Sequence, residues 1–350
     1  MSYVLLNVSI ALLAGLLMTR IFKKLRLPDV TAYLIAGVII GPYCLGSFGV
    51  LGLGFSSMEE VEMLSLISKV ALGFIAFSIG NEFRIADLKK IGKQAFSIGI
   101  MQAVAATICV DVALFVIYLM MPDKLTIPQV LVLGAIATAT APAATLMVVR
   151  QYKAKGPLTD LLLPIVALDD AVGLIVFAVC FGIAETLVSG QANVVSIVVN
   201  PLVEIGCSLI LGALMGWLLT QMEKLFHSNT NRLNMTIAFV FLTVSLSMVK
   251  FQIGPVHVGF SSLLVCMMLG TVFCNTCDLS EDLMAAADKW TSPLFAIFFV
   301  ISGSELELKV FGDWAIVVIG LVYIVFRCIG KYFGTFLLSL IHISEPTRPY

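Results

Sequence analysis

Residues Leu162–Phe177 read LLPIVALDDAVGLIVF, an apolar run that holds two neighbouring acids, Asp169 and Asp170. A charged side chain at mid-membrane costs roughly 2.5–3.5 kcal/mol on insertion scales, so a pair of acids persists there only where protons, metal ions or a cationic partner compensate. Whether this run lies in a membrane is decided by the rest of the chain. Of its 350 residues 60% are hydrophobic and 12% charged, with a mean hydropathy of +1.05. An ordinary soluble domain is about 25% charged. Lipid is therefore the solvent over most of the length, and the chain is an all-α polytopic membrane protein.

Other classes fall away. A formal net charge of −1 points to no nucleic-acid partner. The eight cysteines are scattered and do not make a secreted disulfide framework. Cys274 and Cys277 form one CxxC, but with no second pair and no nearby histidine they read as a helix-end pair rather than a zinc or redox site. The first residues, MSYVLLNVSIALLAGLLMT, lack a basic leader and a small-residue cleavage site, so they read as an anchor. There is no P-loop, no GxGxxG after a strand and no soluble domain. ATP-driven pumping and covalent enzyme chemistry have no residues to carry them, and no cofactor is expected.

A span needs roughly 20 apolar residues. Eleven candidates follow, at about 3–19, 28–46, 62–81, 95–119, 127–149, 160–185, 194–220, 233–250, 255–275, 290–304 and 314–337. The odd-numbered loops between them carry fourteen Lys and Arg residues, from Arg20 to Lys289, against three (Lys124, Lys250, Lys309) in the even-numbered loops. By the positive-inside rule the odd loops are cytoplasmic and the N-terminus is outside. The end of the chain, LSLIHISEPTRPY at 338–350, does not continue the preceding apolar pattern and resembles a translated sequencing adapter. It is expected to be non-native, with the natural protein continuing past it.

Within this frame Asp169 and Asp170 sit near the middle of the sixth span, too far from either end to snorkel. Adjacent helical residues point about 100° apart, so the two acids serve different neighbours. One can face a packed helix and the other a water-filled cavity. The plain alternative is a pair that only ties helices together through buried hydrogen bonds. An intramembrane aspartyl protease is disfavoured, because it needs its acids on separate, facing helices. A cationic partner is present in the eleventh span, WAIVVIGLVYIVFRCIGKYFGTFL, where Arg327 and Lys331 stand i, i+4 on one face. Arg327 reads as a side chain that snorkels from near a helix end. Lys331 is favoured as the counter-ion, because a buried lysine can also give up a proton.

The fifth span, GAIATATAPAATLMVV, places Thr138, Thr140, Pro142 and Thr145 at membrane depth. Pro142 removes a backbone donor and clashes with the preceding turn. A broken helix there exposes backbone groups of the kind that secondary transporters use for ion sites. A merely kinked helix with small packing residues is the alternative. Asp111, Glu204 and Lys69 also fall inside spans, where mutual pairing or interface exposure is expected. Gly37 in the second span suits a close helix contact, and His257 reads as an interface residue.

The motifs RLPDVTAYLIAGVIIGP, ATATAPAATLMVV, ALDDAVGLIVF, FFVISGSELEL and IGKYFG resemble successive signatures of bacterial monovalent cation:proton antiporters, over about residues 1–337. The resemblance implies the inverted-repeat sodium/proton antiporter fold, with thirteen helices of which about eleven are present. It implies that spans 1–3 and 8–10 form a dimer-making scaffold and that spans 4–6 and 11 belong to a moving core, in an inner-membrane protein. By position, Asp170 resembles the carboxylate that binds the ion and the proton, and so the transient ligand of Na+ or K+. Asp169 resembles the acid paired with the core lysine, here Lys331. Thr138, Thr140 and Pro142 fall in the unwound helix. Relatives gated by glutathione usually show Gln-Asp, which the double acid argues against. The expected activity is exchange of Na+, or K+, for H+. A cation channel and a sodium-coupled organic-anion symporter are the alternatives.

Overall fold

The computed structural model describes residues 2–50, 52–81, 83–140, 142–189, 200–249, 251–253 and 256–343. Its helices are α1 (Ser2–Lys24), α2 (Asp29–Ile40), α3 (Met58–Met63), α4 (Ser65–Asn81), α5 (Ile85–Met120), α6 (Ile127–Ile136), α7 (Pro142–Gln151), α8 (Pro157–Ser189), α9 (Asn200–Glu223), α10 (Asn229–Ser247), α11 (Ser262–Thr276), α12 (Ser280–Ser304) and α13 (Trp314–Ile343). Two strands, β1 (Phe251–Ile253) and β2 (Val256–Val258), pair antiparallel between α10 and α11. Among the described residues six helical stretches are long and apolar enough to cross a membrane, and α4, α6 and α11 are shorter apolar helices. Each of the eleven predicted spans contains helix among the described residues.

The differences lie at the ends. Helix α5 begins at Ile85, ten residues before the span predicted from 95, and its 36 residues reach about 54 Å at 1.5 Å per residue. The hydrocarbon layer is about 30 Å thick, so such a helix runs on beyond it. Helix α12 begins at Ser280 rather than near 290. Its first turn carries Glu281 and Asp282, which favour a helix N-terminus but disqualify the segment from an apolar window. The ninth span, predicted from 255, becomes helix only at Ser262. Before it the β-branched and aromatic positions of β1 and β2 take a hairpin register, Phe251 opposite Val258. A hydropathy window does not separate apolar strand from apolar helix.

Two packing groups result. In one, α1, α2, α4 and α9–α12 close around large apolar side chains, with Phe74, Phe77, Leu269 and Phe273 in one cluster and Phe55, Val300 and Ile301 in another. Glycine lets backbones meet here: a Cβ on Gly37 would run into the Val300 carbonyl of α12, and one on Gly303 into the Leu34 carbonyl of α2. The close contact expected of Gly37 is therefore present. In the other group α5, α6, α8 and α13 pack together, with Val110, Leu114 and Val130 buried against Ile319 and Val322. Here α13 lies on α5 so closely that Cβ atoms on Gly330 and Gly334 would each stand 2.6 Å from a backbone Cα, of Ala106 and Gln102 respectively.

The predicted break separates α6 from α7. Ala137 caps α6, residues 138–140 are irregular, and the next helix starts at Pro142. A proline at the first helical position loses nothing, because that N–H has no intrahelical partner. Ala141 lies outside the described residues. Helix α7 then joins the first group, where Leu146 enters the Phe74–Phe77 cluster and Arg150 meets Asp288 of α12 at 2.6 Å.

Candidate functional site

The deepest charge in the described molecule is Asp169 on α8, whose side chain is 0% exposed. An ionised carboxylate in such a place is stable only if its oxygens are hydrogen-bonded and its charge is met. Both conditions hold. Lys331 Nζ of α13 donates to Asp169 Oδ2 at 2.6 Å, and Thr140 Oγ1 donates to the same oxygen at 2.7 Å. Gln102 Nε2 of α5 donates to Oδ1 at 2.9 Å. Four elements therefore converge on one carboxylate.

Lys331 is bound to the broken helix as well as to the acid. Its ammonium donates to the Thr138 carbonyl at 2.8 Å and to Thr140 Oγ1 at 2.6 Å. Thr140 thus accepts from the lysine and donates to the aspartate, which orients all three groups. The Thr138 hydroxyl turns back to the Ala135 carbonyl at 2.7 Å, satisfying an acceptor at the last turn of α6. Arg327, one turn before Lys331, donates from Nε to Ala137 O at 3.2 Å and from Nη2 to Ala139 O at 2.6 Å. Two cations of α13 therefore sit at the C-terminal, partially negative end of α6.

A cavity of about 240 Å3 opens beside this cluster, lined by Ala135, Ile136, Thr138, Ala139, Gly173, Phe177, Ser261 and Leu263. It lies between the two packing groups, because Ser261 and Leu263 belong to the start of α11. Gly173 is one turn beyond Asp169 on the same helical face. A Cβ there would stand 2.8 Å from Thr138 Oγ1, so glycine allows α8 to approach the break.

The structure thus brings together Asp169, Lys331, Thr138 and Thr140, at the break that Pro142 ends. The backbone of Asp170 is helical in α8, while its side chain, like those of Pro142 and His257, lies outside the described residues. Sequence reasoning passed over Gln102, although a lone amide in the apolar run SIGIMQAVAAT is itself a signal. It also read Arg327 as a snorkelling side chain, whereas the guanidinium turns inward to the break. Asp111 was expected to pair or to lie exposed at an interface; instead its buried Oδ1 has no hydrogen-bond partner among the described residues and packs where Gly134 of α6 lacks a side chain. Lys69 is exposed, as an interface residue would be. No group of His, Cys, Asp and Glu among the described residues could hold a metal ion by itself.

Chemically, the arrangement is a buried anion held by one titratable cation, one hydroxyl and one amide, next to unwound backbone and a cavity. Within it the lysine is the group able to release a proton when its surroundings change.

Comparison with known proteins gives the family. The chain is 22% identical over 335 residues to the high-affinity Na(+)/H(+) antiporter NhaS3 of a Synechocystis species, covering 88% of this chain and 69% of that one. It is 22% identical over 316 residues to the K(+)/H(+) antiporter subunit KhtU of Bacillus subtilis, covering 88% and 72%. Its fold matches the structure of the sodium proton antiporter MjNhaP1 from Methanocaldococcus jannaschii with a TM-score of 0.69 and 19% identity, over 100% of this chain and 82% of that one. The family described as "Sodium/hydrogen exchanger, transmembrane" matches residues 8–347. A membrane chain built of helices, with that fold and that match, belongs to the transmembrane sodium/hydrogen exchanger family, a family of cation/proton antiporters rather than enzymes.

Proposed function

We propose that this protein exchanges Na+ for H+ by alternating access, with K+ as the second choice of cation. The observation that carries the reading is the Asp169–Lys331 pair, closed at 2.6 Å under a broken helix. Asp170, about 100° around α8 from Asp169, is the carboxylate for which the cation and a proton compete. Binding must differ between the two occupancies for exchange to be coupled. The Asp169–Lys331 pair is a second titratable unit, which permits more than one proton per cation. Support for Na+ as first choice comes from NhaS3, named a Na(+)/H(+) antiporter, and for K+ as second from KhtU, named a K(+)/H(+) antiporter subunit.

In this reading α5–α8 and α13 form the core that moves, and α1–α4 with α10–α12 form the scaffold, through which two copies pair. The cavity at Ser261 and Leu263 lies on that seam. The N-terminus faces outward and the basic loops face the cytoplasm.

The test is cation-induced alkalinisation of everted vesicles that hold an acid lumen. Addition of Na+ should alkalinise the lumen, and Asp170→Asn should abolish the response. Exchange that persists undiminished in Asp170→Asn would overturn the competition mechanism. A steady current in the absence of any pH gradient would point to a channel, and Na+-driven uptake of an organic anion to a symporter.

A further inference from the structure

Arg327 offers a permanent charge for which the exchange reading has no use. It stands four residues before Lys331 on α13, and among the described residues no carboxylate forms an ion pair with it. A snorkelling arginine would extend to the nearer membrane surface. Here the planar fork is committed to the break, with Nε on Ala137 O and Nη2 on Ala139 O. Lys331 takes the carbonyl between them, that of Thr138. Three consecutive carbonyls of the unwound segment are therefore held by two cations one helical turn apart. The helix that carries those cations is itself seated on α5 through Gly330 and Gly334.

The two cations differ in one property. A guanidinium keeps its proton at any working pH, while a lysine ammonium can lose one. The flanking carbonyls are thus held throughout a cycle in which the central contact can open. The same contacts withdraw Ala137 O and Ala139 O from the oxygens that an incoming ion could use.

We infer that Arg327 is a positioning residue for the ion site: its guanidinium clamps the α6–α7 break so that the Thr138 carbonyl and the Thr140 hydroxyl stay in place for a small monovalent cation. The inference rests on the exchange reading for its functional consequence, but the clamp itself can be measured without transport.

The experiment compares wild type, Arg327→Gln and Arg327→Lys in proteoliposomes, with Na+ as the probe. The KM for Na+ should rise about tenfold in Arg327→Gln, the cost of a site displaced by a fraction of an ångström, while the maximal rate falls far less. Arg327→Lys should recover part of that loss, since a point charge can answer one carbonyl where the fork answers two. Hydrogen–deuterium exchange of the peptide over 137–141 should be faster in Arg327→Gln and be partly restored in Arg327→Lys. An unchanged KM in a folded Arg327→Gln protein, or unchanged amide exchange over the break, overturns the inference. So does a fall in unfolding temperature with KM unmoved, which marks a purely structural role. Failure of wild type to exchange cations at all overturns the proposed function instead, and the amide-exchange comparison still decides whether the clamp exists.

Discussion

The two packing groups solve one problem in opposite ways. Around α2, α4, α11 and α12 the membrane-depth interior is apolar. On α12 the hydroxyls of Ser304 and Ser302 turn back to carbonyls of their own helix, those of Ile301 and Phe298. Around α5, α6, α8 and α13 the interior holds charge, and that charge is met across helices, by Lys331, Thr140 and Gln102 on a single carboxylate. Apolar packing has no internal state to change. A hydrogen-bonded ion pair does, because moving one proton alters every contact in the set. In the proposed exchange cycle the group with the apolar interior is the one expected to stay still, and the group with the titratable pair is the one expected to respond.

The comparison is broken most directly at the ion pair. Removing one partner of a buried pair typically costs about 3–5 kcal/mol, while replacing both by apolar groups of similar size can be neutral. Lys331→Ala should therefore lower stability by about that amount in thermal or denaturant unfolding of the purified protein. Pairing Asp169→Leu with Lys331→Met should recover much of the loss while leaving vesicle exchange dead. A double variant less stable than Lys331→Ala alone would show that the pair is a structural strut after all.

The next test places the same lesion in both groups. Overpacking costs about 1–3 kcal/mol, so Gly330→Ala on the α5–α13 face and Gly37→Ala on the α2–α12 face should be destabilised alike. They should differ in transport. Gly330→Ala displaces Lys331 from its neighbour α8 and should lower exchange about tenfold or more; Gly37→Ala should leave the rate of the folded fraction close to wild type. Equal losses of rate would erase the distinction between the groups.

A smaller effect is expected at Thr140. Thr140→Val removes one hydrogen bond to a buried carboxylate and one acceptor for Lys331, which costs about 1–3 kcal/mol. Thr140→Ser should restore stability and the KM for Na+ together. A serine variant as weak as the valine one would shift attention from the hydroxyl to the shape of the residue.

The smallest effect lies outside the bilayer, where Lys124, before α6, meets Asp313, before α13, at 2.8 Å. The side-chain hydrogen bond from Lys124 and the Ala315 amide hold the Asp313 carboxyl below its ordinary value. A carboxyl lowered in the folded state adds stability above the unfolded pKa, near 3.9, and loses it as pH falls through the folded value. The small stability difference between wild type and Asp313→Asn should therefore be present at neutral pH and fade in acid. A difference that grows on acidification has the wrong sign for this bridge.

Much of this division is legible in the residues, for physical reasons. Lipid imposes apolar runs of fixed length, so the spans stand out, and the basic loops alternate with them. An acid pair such as Asp169–Asp170 is conspicuous because its cost is high. Pro142 among threonines marks a break because proline removes a donor. What stays hidden is which distant groups meet. Gln102 reaches an acid 67 residues away, and Arg327 reaches carbonyls 188 and 190 residues away. A backbone oxygen carries no sequence signature, so an arginine that binds one looks like an arginine seeking water. Asp111 shows the converse, since the feature that admits it is the missing side chain of Gly134. Hydropathy also misplaced the start of α11, where apolar β-branched residues serve a hairpin.

Thr140 has a single hydroxyl hydrogen, and Asp169 receives it. Only lone pairs therefore remain on the side facing Lys331. A neutral amine carries two hydrogens where the ammonium has three, so loss of its proton leaves at least one of Thr138 O, Thr140 Oγ1 and Asp169 Oδ2 without its donor from Lys331.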